Sequence, residues 1–269
     1  MLDHEARRQG FTLIELLVVI VIISIIISIL LPSLAGARQS AKETQAISNG
    51  RMIGAAFEHY AGEYKTYPYT DDKHLPQGVH VPPRPGILFV KWYPEGTIVG
   101  TSSHWHQESL WPSLLSVTSP WAENYATWVS PGLETKLPSS EFDFDINDLK
   151  PHISWRYSNS FVASPRVWSE KNPPSAEELP SLYKGTAPGD VLFPSSKVML
   201  WDVDLSYVRK EPRFDEDEDH YDYPTPMVFA DGHADVHNPL QSTAAARNVI
   251  SGSRTRLHDT PDGTRGRDY

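Results

Sequence analysis

The chain of 269 residues contains no cysteine. That absence excludes disulfide staples, thiolate metal sites, a cysteine nucleophile and the thioether anchor of a bacterial lipoprotein; it does not name the redox compartment. Positive charge is also scarce. The 24 Lys and Arg stand against 34 Asp and Glu, a formal charge of −10, which repels a phosphate backbone and excludes a nucleic-acid partner on electrostatic grounds. Hydrophobic residues are only 39%, and much of that share sits in one block, so the rest of the chain is more polar still. There is no G-x-S-x-G nucleophile elbow, no Gly-rich phosphate loop and no internal repeat. Proline, by contrast, is plentiful. Its 23 residues are well above an average usage of about 5% and argue against a helical bundle.

The apolar block runs from Phe11 to Leu31 and is interrupted only by Thr12, Glu15, Ser24 and Ser28. At ~1.5 Å per residue it spans roughly 31 Å, one bilayer core. Arg7 and Arg8 precede it, so the leader Met1 to Gly10 is expected in the cytoplasm and the remainder outside. Beyond residue 31 the bases number 22 and the acids 31; this exported part is repelled by anionic lipid. Glu15 is out of place in an ordinary signal sequence. A carboxylate deep in hydrocarbon costs roughly 2.5–3.5 kcal/mol and usually marks function, although near the interface it can snorkel to water. Conventional export signals fit poorly. Arg7-Arg8 is a faint twin-arginine pattern and Ala35-Gly36-Ala37 a possible peptidase site, but a secretory apolar region is typically about 7–15 residues and carries no early glutamate.

Gly10, Phe11, Thr12, Leu13, Ile14 and Glu15, with the apolar run through Pro32, resemble the leader of type IV prepilins and type II secretion pseudopilins. The likeness covers roughly residues 7 to 64. It implies cleavage by a prepilin peptidase between Gly10 and Phe11 and N-methylation of Phe11. It also implies assembly of the chain with itself and other pilins into a helical filament. In that family the glutamate at the place of Glu15 meets the N-terminal amine of a neighbouring subunit. Two isolated charges are each costly in hydrocarbon and offset one another when paired. Further partners implied are an inner-membrane platform and its cytoplasmic ATPase.

After Pro32, expected to kink rather than end the helix, Ile53, Phe57, Tyr60, Ala61 and Tyr64 fall on one helical face. Gly50, Gly54 and Gly62 weaken this stretch, and Tyr64 to Pro68 ends it. The expected fold is therefore α+β and pilin-like: a long N-terminal helix, its first half transmembrane, packed on a small antiparallel sheet with long loops. The expected divisions are a leader 1–10, a transmembrane half-helix 11–31, an amphipathic half-helix 32–64, a β-rich head 65–240 and a polar, mobile tail 241–269. Strand candidates are Ile87 to Tyr93 with Thr97 to Thr101, His152 to Tyr157, Val198 to Leu205, and a hairpin from Met227 to His237 turned by Asp231-Gly232 as a type I′ turn. Residues 170–190, rich in Pro and Ser, read as loop.

Within the head, His220, Asp231, Gly232 and His233 resemble a prepilin-like group with a histidine, about ten residues, then Asp-Gly-His. Ser130-Pro131 stands where that group often has Cys-Pro. His233, Asp235 and His237 share one face of a strand, either the polar side of an edge hairpin or, with His220, a metal or acid–base cluster. Asp143, Asp145 and Asn147 alternate as in half a calcium loop, but Asp148 and Ser154 stand where its glycine and glutamate belong. The acidic run that includes Asp215, Asp217, Asp219 and Asp222 is either a solvated loop or a calcium site of the kind major pseudopilins carry. The functional expectation is a structural filament subunit of the inner membrane, not an enzyme. The alternative is a tip subunit whose Trp-rich head, with Trp105, Trp111, Trp121 and Trp128, binds a glycan or secreted substrate.

Overall fold

The structure, a computed structural model, describes residues 12–69, 88–91, 98–101, 111–112, 114–115, 125–133, 153–169, 171–175, 177–208, 223–249, 252 and 254–269. The chain divides into two compact units, Met1–Lys42 and Glu43–Tyr269.

In the first unit the described residues from Leu13 on are helical and their apolar side chains exposed. They open α1 (Leu13–Tyr64), which continues into the second unit and is long and apolar enough at its start to cross a membrane. Pro32 lies inside α1 without ending it. The hydroxyls of Ser24, Ser28 and Ser33 donate back to the carbonyls of Ile20, Ile25 and Leu30 at 2.7–2.8 Å. The helix's own backbone thus satisfies these hydroxyls.

In the second unit α1 buries Ala46, Asn49, Gly50, Ile53, Gly54, Phe57, Tyr60 and Ala61, one face at helical spacing. Tyr64 stays exposed and stacks on Tyr60 at 4.4 Å. Two glycines that weaken the helix in isolation are its contact points with the sheet. A Cβ on Gly50 would sit 2.7 Å from the Trp155 ring, and one on Gly54 would sit 2.8 Å from a Val228 methyl. The helix ends at Lys65, whose φ of 65° is left-handed and whose N–H caps the Ala61 carbonyl at 2.8 Å. The following Tyr67 is buried, with its hydroxyl 2.9 Å from both Glu58 Oε1 and the Ala230 carbonyl.

The expected hairpin forms as β1 (Leu88–Lys91) against β2 (Ile98–Thr101). The main sheet has four antiparallel strands in the order β3 (Trp155–Tyr157), β4 (Val198–Asp202), β5 (Thr225–Phe229) and β6 (Ala234–His237). Every residue of β4 and β5 is buried, which fits their unbroken apolar runs and means that both faces of the sheet are covered. Against α1 lie Trp155, Tyr157, Leu200 and Val228, in one core with Phe57, Trp111 and Trp128. On the opposite face Val198, Trp201, Met227 and Phe229 gather around Leu257. Each large side chain so buried contributes roughly 1.5–3 kcal/mol.

The cover on that second face comes from the segment expected to be a mobile tail, so that expectation is corrected. Leu257, Asp259, Thr260, Thr264 and Asp268 are buried. Asp268 receives the N–H of Val198 at 2.8 Å, and Asp259 receives Trp168 Nε1 at 2.9 Å. A polar sequence holds here through buried hydrogen bonds, which leave no apolar period to read. The 170–190 loop is likewise not wholly irregular: Leu179–Leu182 makes a helical turn. The Asp231-Gly232 turn also differs in type. Ala230 and Asp231 keep negative φ, Gly232 alone is positive at 83°, and its N–H bonds the Phe229 carbonyl at 2.9 Å. This is a longer loop closed by a glycine bulge rather than a two-residue type I′ turn.

Candidate functional site

At the start of α1, Thr12 and Glu15 bond each other reciprocally. The Thr12 N–H and hydroxyl both donate to Glu15 Oε2, at 2.8 and 2.7 Å, and the Glu15 N–H lies 3.3 Å from Thr12 Oγ1. This is a capping box: the carboxylate satisfies a donor that a helix start leaves unpaired. Both residues are exposed in the single chain. The carboxylate is thus held in place, with one oxygen committed to Thr12 and lone pairs left for a cation. Gly10 and Phe11, the expected cleavage pair, lie outside the described residues.

The hairpin motif is partly visible. His233 Nδ1 meets Asp231 Oδ1 at 2.5 Å, and the His233 N–H reaches the same oxygen at 3.2 Å. The His233 ring stacks on Phe229 at 4.3 Å, while His237 meets Phe229 edge-on at 5.3 Å and Tyr269 at 4.7 Å. His237 and Asp235 are 3.8 Å apart. Ala234 is buried and Val236 half-buried, as an alternating strand requires, but the histidine side is a packed aromatic ladder rather than a purely solvated face. Among the described residues no group of three or more His, Asp or Glu is placed to hold a metal. His220, Asp215, Asp217, Asp219 and Asp222, and the Asp143, Asp145 and Asn147 series, lie outside the described residues, as do Trp105 and Trp121. Trp111 and Trp128 are core residues, their rings 5.5 Å apart.

The head also contains buried polar groups that sequence reading passed over. Asp202 and Asp204 are fully buried at the end of β4. Asp202 Oδ1 accepts the Asp204 and Leu205 N–H groups at 3.0 and 3.2 Å, and the Ser154 hydroxyl donates to Asp204 at 2.5 Å. Burial, with the neighbouring Asp204 charge, pushes the Asp202 carboxyl up to about 7. Ser130 N–H bonds Ser154 Oγ at 2.7 Å, and Ser206 N–H bonds Ser130 Oγ at 3.1 Å, tying the loop at Ser130-Pro131 to the sheet. His258 is buried against Trp201 at 4.6 Å and accepts the Asn159 N–H at Nδ1. Burial first, then the Arg156 and Lys197 charges, push it down to about 3, so it is neutral in the fold. Lys197 is wholly buried between Asp268 and Thr260, and that burial lowers its proton affinity. Asp204, His258 and Lys197 lie far in sequence from Ser154, Asn159 and Asp268, which left no local signal.

Residues 6–31 match the family described as the prokaryotic N-terminal methylation motif. No curated protein and no solved structure matches the chain. The match takes in Gly10, Phe11 and Glu15; the head, with its His220 to His233 likeness, lies outside it. The motif supports the prepilin family and indicates a type IV pilin or pseudopilin-like subunit, and the apolar start of α1 fits a membrane-anchored one.

Proposed function

We propose that the chain is a structural subunit of a type II secretion or type IV pilus-like filament. It inserts in the inner membrane with its head outside, is cut between Gly10 and Phe11 and methylated on Phe11, and is drawn into the filament by a membrane platform and its ATPase. The observation that carries this reading is the methylation motif over residues 6–31, with Glu15 at the start of an apolar helix whose far half carries the head. Its work is assembly. Cleavage creates a cationic amine at Phe11, and Glu15 of an adjacent copy is the carboxylate to meet it. Burial of Trp111 and Trp128 in the core favours this reading over a tip module presenting those tryptophans to a glycan.

Mass spectrometry of the mature protein should find Phe11 at the N-terminus with one methyl group, and Gly10→Leu should abolish that product. Glu15→Leu should insert and be cleaved normally yet fail to enter filaments, because stranding a buried amine without its partner costs about 3–5 kcal/mol. Recovery of that variant in crosslinked multimers at wild-type yield refutes the assembly role of Glu15. An intact Met1 on the mature protein refutes the processing.

A further inference from the structure

The segment over the second face of the sheet is held by a cluster with the parts of a bond-forming site. Lys197 Nζ lies 3.0 Å from Asp268 Oδ2, with the lysine side chain 0% and the aspartate 2% exposed. Thr260 Oγ1 accepts from Lys197 Nζ and donates to Asp268 Oδ1, both at 2.5 Å. The backbone N–H of Val198 donates to Asp268 Oδ2 at 2.8 Å. The Phe161 ring stands 6.0 Å from the amine. Asp259, which also faces Lys197, is occupied by Trp168, Asn248 and the Thr255 N–H.

The geometry points to an intramolecular amide between Lys197 and Asp268. Burial disfavours the charged form of the Lys197 amine. The Thr260 hydroxyl carries a proton from Nζ to Oδ1, leaving a free amine and a carboxylic acid. Nζ then attacks Asp268 Cγ, and the electron pair moves to Oδ2, where the Val198 N–H receives the developing charge as an oxyanion donor does. A second amine proton follows the same path to Oδ1. The C–Oδ1 bond breaks, water leaves, and the carbonyl re-forms at Oδ2. One ammonium and one carboxylate become one amide and one water, with no oxidant or co-reactant. Holding the two groups in contact makes the step unimolecular, and exclusion of water favours the amide. The product is a covalent ring from the start of β4 to the covering segment, which keeps the sheet's second face closed when the head is pulled.

Tryptic digestion of the full chain tests this directly. Trypsin does not cut at an acylated lysine, so a linked protein should yield residues 185–209 uncut at Lys197 and branched to the peptide that begins at Asp268. That species should be lighter than its two parts by one water, and the linear peptide ending at Lys197 should be lost. Fragmentation across the branch separates the amide from a succinimide at Asp231-Gly232 or Asp262-Gly263, which also loses one water. Lys197→Arg, which keeps the charge, should give only linear products. Wild-type protein cleaved fully after Lys197 overturns the proposal. A Thr260→Val chain that forms the branch at the wild-type rate overturns the relay.

Discussion

His258 and Asp202 make the head's stability depend on pH in opposite directions, and replacing either should expose the other. His258 is held down to about 3 in the fold against 6.5 unfolded. The folded state stays neutral while the unfolded chain takes up a proton, so this contribution is lost as pH falls below 6.5. Between about pH 8 and about pH 5 the loss is about 2 kcal/mol. Asp202 is raised to about 7 in the fold against 3.8 unfolded. The folded state keeps a proton that the unfolded chain releases, so this contribution is fully present below 3.8 and lost as pH rises through 7. Over the same interval it is worth about 3 kcal/mol in the opposite sense. Asp202→Asn fixes that side chain as neutral. Relative to wild type, the variant should gain about 3 kcal/mol on going from about pH 5 to about pH 8, whatever its absolute stability. His258→Gln should show the reverse, gaining about 2 kcal/mol over wild type as pH falls across the same range. Denaturant titration followed by tryptophan fluorescence in detergent is the assay. All eight tryptophans lie beyond Lys91, so the signal reports the head and not the apolar start of α1. A constant difference between Asp202→Asn and wild type across this range would show that Asp202 is ionised in the fold and refute the reasoning.

The helix–sheet contact should be intolerant of one methyl group. Gly50→Ala, whose Cβ would lie 2.7 Å from the Trp155 ring, should lower stability by about 1–3 kcal/mol. Gly62→Ala, with nothing within 4 Å, should raise it by up to about 1 kcal/mol. Thermal melts of the two variants read both effects. Asp259→Ala should remove the acceptor of the Trp168 and Asn248 N–H groups and cost about 1–3 kcal/mol; amide exchange across 254–269 should then rise towards that of an open segment. If the acidic run from Asp215 to Asp222 binds calcium, chelator should lower the head's melting temperature and calcium restore it; superimposed curves assign the run to a solvated loop.

What could be read from the residues is what repeats over short distances. The apolar block from Phe11 to Leu31 and the stripe of Ile53, Phe57, Tyr60 and Ala61 fix a long helix with a buried face. The runs at Val198 and Met227 predict strands, and the structure pairs them as neighbours in the sheet. The methylation motif is legible for a different reason: a glycine, a short spacer and one glutamate in an apolar run form a local pattern. The C-terminal segment failed the same test. Its order comes from single polar side chains meeting partners far away, Asp268 with Lys197 and Asp259 with Trp168, and such pairings leave no period in the sequence. One clue was available. The strand Val198–Asp202 carries Val, Met, Leu and Trp on successive positions, where a sheet with one wet face would alternate. With α1 able to cover only one face, such a strand requires a second cover from elsewhere in the chain. A tail with Leu257 set among polar residues that can cross-bond was able to supply it. The same physics separates the two ends of the chain. At the start of α1 the Glu15 carboxylate is exposed and held only by the adjacent Thr12, whereas at Asp268 and Asp259 the carboxylates find distant partners within the fold.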